Sequence, residues 1–303
     1  MKRRPMPKKA RPPTFKKALN SAKVSRAQRI ATRIEKWHIT RIFAGLSSFL
    51  LLPTLLAIMV DIYLVKEERA AREHARVVSA WQLVTTKASG NSGKREAMAY
   101  LNKQGHSLAG VDISPPENAS YTYLYEVDLL AANLRGAVLS GVDLRGANLK
   151  GTDLSGAEFI RSKLSGADFT GANVNGANFS GSFMSGVELN NRHISEADFT
   201  RSDLSNARFD VSEIFRSRFT QAYMKGVHFR ASKLYNVSFE GAILTDANLH
   251  GASLFQTRFD DADIRGADLT GVSFLNCERL MKAKNWQYSL RNKSLACGAK
   301  SNQ

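Results

Sequence analysis

Cys277 and Cys297 are the only cysteines in this chain of 303 residues, and six histidines complete its stock of soft ligands and nucleophile partners. A structural zinc site needs cysteines and histidines in close clusters, and here they are dispersed. The two thiols can bridge if the domain stands in an oxidising compartment; otherwise they stay free, one of them a small core residue. His228 and His250 fall, with Asp210 and Asp268, into one stack of outward positions, which suits a surface metal or simply a solvated polar column. No serine has a designated histidine partner, and no glycine-rich phosphate loop stands between a strand and a helix. The residues assemble no catalytic constellation, no metal set and no cofactor motif. What remains open to such a chain is recognition, which depends on what its scaffold displays.

That scaffold is written in a period of five. Every fifth residue from Leu129 to Phe274 is apolar: Leu fourteen times, Phe ten, Ile three, Met twice and Val once. Two residues before each of these centres stands Ala, Val, Ser or Thr, except where Arg192 takes the place. Gly follows two residues after the centre in half of the blocks. The period is neither the helical 3.6 nor the simple strand period of two. A short extended segment and a turn satisfy it, with the centre and the small residue inward and their neighbours outward. A fixed period of this kind means a solenoid. Phe159, Phe179, Phe199, Phe219, Phe239 and Phe259 recur every twenty residues, which predicts four blocks per coil and each ring stacked on the next. Crossovers between parallel strands are overwhelmingly right-handed. The expected fold is an all-β solenoid, a right-handed quadrilateral parallel β-helix over 107–276.

Blocks such as Ala147-Asn148-Leu149, Ala167-Asp168-Phe169, Ala247-Asn248-Leu249 and Ala267-Asp268-Leu269 resemble the A(D/N)LXX consensus of the pentapeptide repeat family. The resemblance covers half the chain and implies the β-helix. It implies no shared active site. Some soluble members of that family imitate duplex DNA and act on DNA gyrase, which asks for a strongly acidic rod in the cytoplasm. Here residues 127–276 carry fifteen bases and seventeen acids, so the rod is nearly neutral.

The net charge of +16 sits instead at the ends. Residues 1–41 hold fourteen Lys or Arg and one acid, forming a basic arm whose Val24, Ala27, Ile30, Ile34 and Trp37 suit an amphipathic helix on a lipid surface. Ile42 to Val60 carry no charge, which predicts a transmembrane helix over 42–65, with Pro53 inside it and Trp37 and Tyr63 at the interfaces. The excess of bases before the span places the N-terminus in the cytoplasm and the solenoid beyond the inner membrane, in a bacterial periplasm. Residues 66–106 read as a helical stalk and a short helix, and 277–303 as a cap and tail that cover the last coil, with Trp286 and Leu290 as contacts. The juncture through Ala80-Trp81-Gln82-Leu83 and Gly90-Asn91-Ser92-Gly93-Lys94 resembles that of membrane-attached pentapeptide proteins.

One surface feature stands out. Phe215, Tyr235, Phe255 and Leu275 recur every twenty residues, one place after the centre, and should align as an apolar stripe facing a partner or covered by residues 280–303. Phe183, Tyr223 and Ile243 form a sparser row on the adjacent face. Arg192, charged at an inward position, suggests a local bulge that turns it outward. The sequence thus reads as a non-catalytic, membrane-anchored scaffold that binds lipid through its arm and span and a protein through its rod, a homodimer being one form of that contact. Nucleic acid is disfavoured, and the alternative is a cytoplasmic gyrase regulator of the DNA-mimic type.

Overall fold

The computed structural model describes residues 48–292 except positions 89 and 91, together with Leu295 and Cys297. The basic arm 1–41, with Trp37, and the first residues of the expected span, 42–47, lie outside the described residues.

Helix α1, Ser48–Thr85, runs for 38 residues with Pro53 inside it. The change from apolar to charged sequence at Lys66 does not interrupt it, because Glu, Lys, Arg and Ala favour helix and pairs such as Arg72–Glu68 at 2.7 Å brace the exposed turn. Among the described residues no helix is long and apolar enough to cross a membrane. The transmembrane helix expected at 42–65 is therefore not found there; past Asp61 and Lys66, α1 is charged. The chain divides into two units between Arg72 and Glu73.

In the second unit, Ala80 and Val84 of α1 belong to one apolar core with Ala97, Met98 and Leu101 of helix α2, Lys94–Lys103. Those α2 positions, with Lys94, fall at helical spacing on one buried face. Gly105, in the left-handed region at φ 77, ends the helix, its N–H donating to Asn102 O.

The repeats form a parallel β-helix with little formal strand. Each block contributes one bridge residue, and bridges connect residues twenty apart, as in Asn148↔Asp168, Asp153↔Asn173, Asn178↔Asp198 and Lys163↔Phe183. Four such columns make one coil. Longer pairing occurs between β1, Thr122–Tyr123, and β2, Val142–Asp143, and on the column of β3, His193–Ser195, β4, Glu213–Phe215, and β5, Lys233–Tyr235, each set forming a parallel sheet. Inward small residues are needed because backbone approaches backbone inside each coil. Where they are polar, they are satisfied locally: Thr152 Oγ1 donates to Leu129 O at 3.0 Å and Ser162 Oγ to Leu139 O at 2.6 Å.

The core centres stack by column. Phe159, Phe179, Phe199, Phe219, Phe239 and Phe259 form one continuous pile, with successive centroids 5.0, 5.1, 4.8, 5.2 and 5.4 Å apart. Phe209 and Phe229 make a shorter pile 5.0 Å apart, and its rings meet the first edge-on.

Both ends depart from the twenty-residue step. In the first coil Leu108 N donates to Asn133 O and Asp112 bridges Val138, steps of 25 and 26 residues that accommodate Pro115-Pro116. At the far end the thirtieth centre, Phe274, is not in the core: it takes φ 62 and lies 63% exposed. The chain leaves the coil there into α3, Cys277–Leu280, capped by Asn276 Oδ1 accepting from Arg279 N. It returns to pair Asp263↔Lys284 and Asp268↔Leu290. The cap thus supplies two missing strands. Leu280 and Ala283 are buried in the core and Trp286 packs half-buried against it, as expected of Trp286; Leu290 contributes its backbone and leaves its side chain exposed. Cys277 and Cys297 form a disulfide that ties the tail to the start of α3.

Candidate interaction surface

The aromatic stripe lies on the β3–β4–β5 face, where the register Ser195↔Phe215↔Tyr235 follows from the pairing of Ile194, Ile214 and Leu234 in the core. Phe215 and Tyr235 rings are 4.9 Å apart, and Tyr235 and Phe255 rings 6.1 Å. The ladder extends beyond the expected residues at both ends. His193 lies 5.2 Å from Phe215, and Phe274 meets Phe255 edge-on at 5.6 Å. Leu275 leaves the line and packs half-buried against the core, because Phe274 has turned outward in its place. The described part of the cap reaches the columns of Asp263 and Asp268 and leaves Phe255 43% exposed. Residues 280–292 complete other faces, and most of the remainder of the 280–303 segment expected as an alternative cover lies outside the described residues.

A charged row runs alongside, from the bridge residues of the same strands. Glu213 accepts from Lys233 Nζ at 2.6 Å and lies 3.8 Å from His193 Nδ1. The Lys233 side chain holds the Glu213 carboxyl below its ordinary value, and Glu213 in turn raises Lys233. The face therefore offers a strip of ring surface beside fixed, mutually neutralised charge. That arrangement suits contact with a protein surface and supplies no reactive group.

Other candidate residues are placed as follows. Arg192 keeps the register towards the following coil: its carbonyl accepts from Glu213 N at 2.7 Å and its N–H donates to Ser212 Oγ. Towards the preceding coil the ladder opens, the steps Asp168–Glu188 and Asn173–His193 carrying no bridge among the described residues, and Arg192 itself is half-buried there. Its Nε is buried without a partner among the described residues. His250 Nδ1 lies 2.8 Å from Thr270 Oγ1, which itself donates to Asp268, so polar groups in that column pair with one another. Phe183, Tyr223 and Ile243 are exposed on the neighbouring face. Tyr63 is exposed on α1.

Sequence reasoning missed Lys94. Its side chain is 1% exposed and its Nζ has no hydrogen-bond partner among the described residues. Burial lowers its pKa, partly countered by Asp112, whose own carboxylate is taken by Lys87 at 2.6 Å. The signal was available in the spacing of Lys94 with Ala97, Met98 and Leu101 on one face of α2.

A parallel coil of four five-residue blocks, stacked by column, defines a β-solenoid. Residues 122–159, 152–191, 193–230, 222–261 and 232–271 match the family described as pentapeptide repeats, in 8 copies. The chain belongs to the pentapeptide repeat family, whose fold is the right-handed β-helix. Solved structures similar to it include QnrB1, a plasmid-mediated fluoroquinolone resistance protein, at 18% identity and a TM-score of 0.49 over 55% of this chain and 84% of that one. HetL, a pentapeptide repeat protein involved in heterocyst differentiation regulation from the cyanobacterium Nostoc sp. strain PCC 7120, is 29% identical over 53% of this chain and 84% of its own, with a TM-score of 0.33. A pentapeptide repeat protein from the Arabidopsis thaliana thylakoid lumen is 22% identical over 54% and 78%, with a TM-score of 0.20. No curated protein sequence matches.

Proposed function

We propose that this chain is a non-catalytic interaction protein that attaches to a membrane by its N-terminal region and presents a rod of four-sided section on the extracytoplasmic side. The aromatic ladder through the half-buried Phe215 and Tyr235 to the exposed Phe255 and Phe274 is the observation that carries the interaction reading. Membrane attachment is supported by the apolar side chains that α1 exposes on all sides between Leu55 and Val65, a distribution that water disfavours. The disulfide supports an oxidising compartment. The alternative, a cytoplasmic regulator of DNA gyrase, has the family in its favour and the neutral rod against it.

Replacing Phe215, Tyr235 and Phe255 together by Ser tests the ladder. Circular dichroism should stay that of the parent while a partner cross-linked at this face is lost. Retention of the partner by a folded variant would refute the reading. A periplasmic reporter fused after Gln303 should be active; activity of a cytoplasmic reporter instead would move the rod to the gyrase reading.

A further inference from the structure

The last coil has a vacancy on one of its four columns. Glu158, Asn178, Asp198, Arg218, Ser238 and Arg258 lie on this column, and the next step of twenty would bring Glu278 beside Arg258. Helix α3 withdraws Glu278 from that place. In earlier coils the flanking groups are used: Ser238 N donates to Ser217 O, and Phe239 N donates to Arg258 O. At the last coil Phe259 N–H and Thr257 C=O have no partner among the described residues, and neither has Gln256 N–H. Gln256 is exposed, whereas Thr257 and Phe259 are buried, so an added strand must displace the side chains that cover them. The cap resumes pairing only at Asp261, whose N–H donates to Lys282 O. Between the free edge and the cap lies a groove of about 730 Å³ whose lining sets three bases, Arg258, Arg279 and Lys282, against two acids, Glu240 and Asp260, a balance of one positive charge.

The groove's charge selects its occupant. Arg258 reaches Glu240 only at 3.8 Å and Lys282 reaches Asp260 only at 3.7 Å, and the Arg279 side chain has no ion-pair partner among the described residues. Within this same column, acid and base on successive coils pair closely: Arg218 Nη2 lies 2.7 Å from Asp198 Oδ2. A carboxylate in the vacated place would meet Arg258 as Asp198 meets Arg218. A free donor and a free acceptor on either side of Arg258 call for a polypeptide backbone, which nucleic acid and lipid lack. The chain's own residues 293–303 carry two lysines and no acid, so their charge does not complement the groove.

We infer that the groove at the distal end of the rod binds an extended acidic segment of a partner protein, which adds a parallel strand beside Arg258 and places a carboxylate where Glu278 would have stood. This inference rests on the reading of the rod as a protein-binding module, but its residues are not those of the ladder.

The test uses the full-length chain and a fluorescently labelled peptide alternating Glu and Val, followed by anisotropy. Binding should weaken about tenfold for Arg258→Glu or Arg279→Glu. It should be lost when the central peptide nitrogen is methylated, and it should protect the Phe259 amide from hydrogen exchange. The Ser-substituted ladder variant should bind the peptide as the parent does, so failure of the ladder and failure of the groove are told apart. Equal binding of a Lys–Val peptide, indifference to N-methylation, or binding that appears only after residues 298–303 are removed would each overturn the inference, the last by assigning the groove to the chain's own tail.

Discussion

Truncating one ring in the middle of the phenylalanine pile should cost more than truncating the ring at its end. Phe199 is fully buried, stacks on Phe179 and Phe219 at 5.1 and 4.8 Å, and meets Phe209 edge-on at 5.9 Å. Phe159 is equally buried but has one ring neighbour, Phe179, at 5.0 Å. Removing a buried Phe to Ala costs about 3–5 kcal/mol through lost transfer energy and the cavity left behind. Each aromatic pair adds about 0.5–1.5 kcal/mol beyond area. Phe199→Ala therefore loses two more ring contacts than Phe159→Ala and should be the more destabilising by about 1–3 kcal/mol. Phe199→Leu, which keeps most of the volume, should recover the larger part of the loss. Urea unfolding followed by circular dichroism measures the difference. Hydrogen exchange at Phe179 N–H and Phe219 N–H, which donate to Asp198 O and Ser238 O, reports whether the coils on either side loosen together. Equal losses at the two positions would show that ring stacking adds nothing beyond burial, and a larger loss at Phe159 would refute the reasoning.

Four further outcomes follow from single residues. Val211 holds φ 59 at a corner with its side chain 60% exposed, a left-handed conformation that β-branched residues disfavour, so Val211→Gly should raise the unfolding midpoint, by about 1 kcal/mol. At the equivalent corner Gly171 has φ 78 and an added Cβ would meet the Gly151 backbone at 3.4 Å, so Gly171→Ala should lower it in the same assay. Lys94→Met should stabilise the second unit, because the buried ammonium has no partner; since burial lowers the folded pKa below the ordinary 10.5, the parent gains stability as pH rises towards that value and the Met variant should not. In Asp143 the charged form is instead the favoured one: burial pushes its carboxyl up, and hydrogen bonds from the Arg145 side chain and backbone outweigh this, holding its pKa below the ordinary 3.8. The stability it contributes is present above 3.8 and is lost as pH falls through the lower folded value, so acid titration of Asp143→Asn should show a shallower loss than the parent.

The coil was legible because its cause is local and repeated. An inward apolar centre, an inward small residue and a corner recur so often that Phe159 through Phe259 reveal both the period and the column. Arg192 was legible in part: the ladder does open on its preceding side, where Asp168–Glu188 and Asn173–His193 carry no bridge among the described residues, while its backbone bonds to Ser212 and Glu213 keep the register towards the following coil. The cap was less legible. Its pairings run from Asp263 to Lys284 and from Asp268 to Leu290, steps of 21 and 22 residues that no residue type advertises. Phe274 satisfied the pattern in sequence and still turned outward, because no further coil follows to cover it.

That last case bears on where recognition can reside. A perfect repeat pairs every backbone group with its neighbour and gives every face the same environment, so it offers a partner only side chains in columns. The aromatic ladder is such a column, and its strength lies in continuity from His193 to Phe274. A backbone-directed site requires the repeat to fail, and besides the interior opening at Asp168–Glu188 and Asn173–His193 this happens at the distal end, where α3 withdraws Glu278 and leaves Phe259 N–H and Thr257 C=O without partners among the described residues. The ladder and the vacancy meet at Phe255 and Gln256, adjacent residues on either side of one corner. A single partner could therefore lay a strand along the free edge while covering the terminal rings. Such a partner would feel substitutions at Arg279 and Phe255 together, and the coupling between those two positions in a double-mutant cycle measures whether the two surfaces act as one.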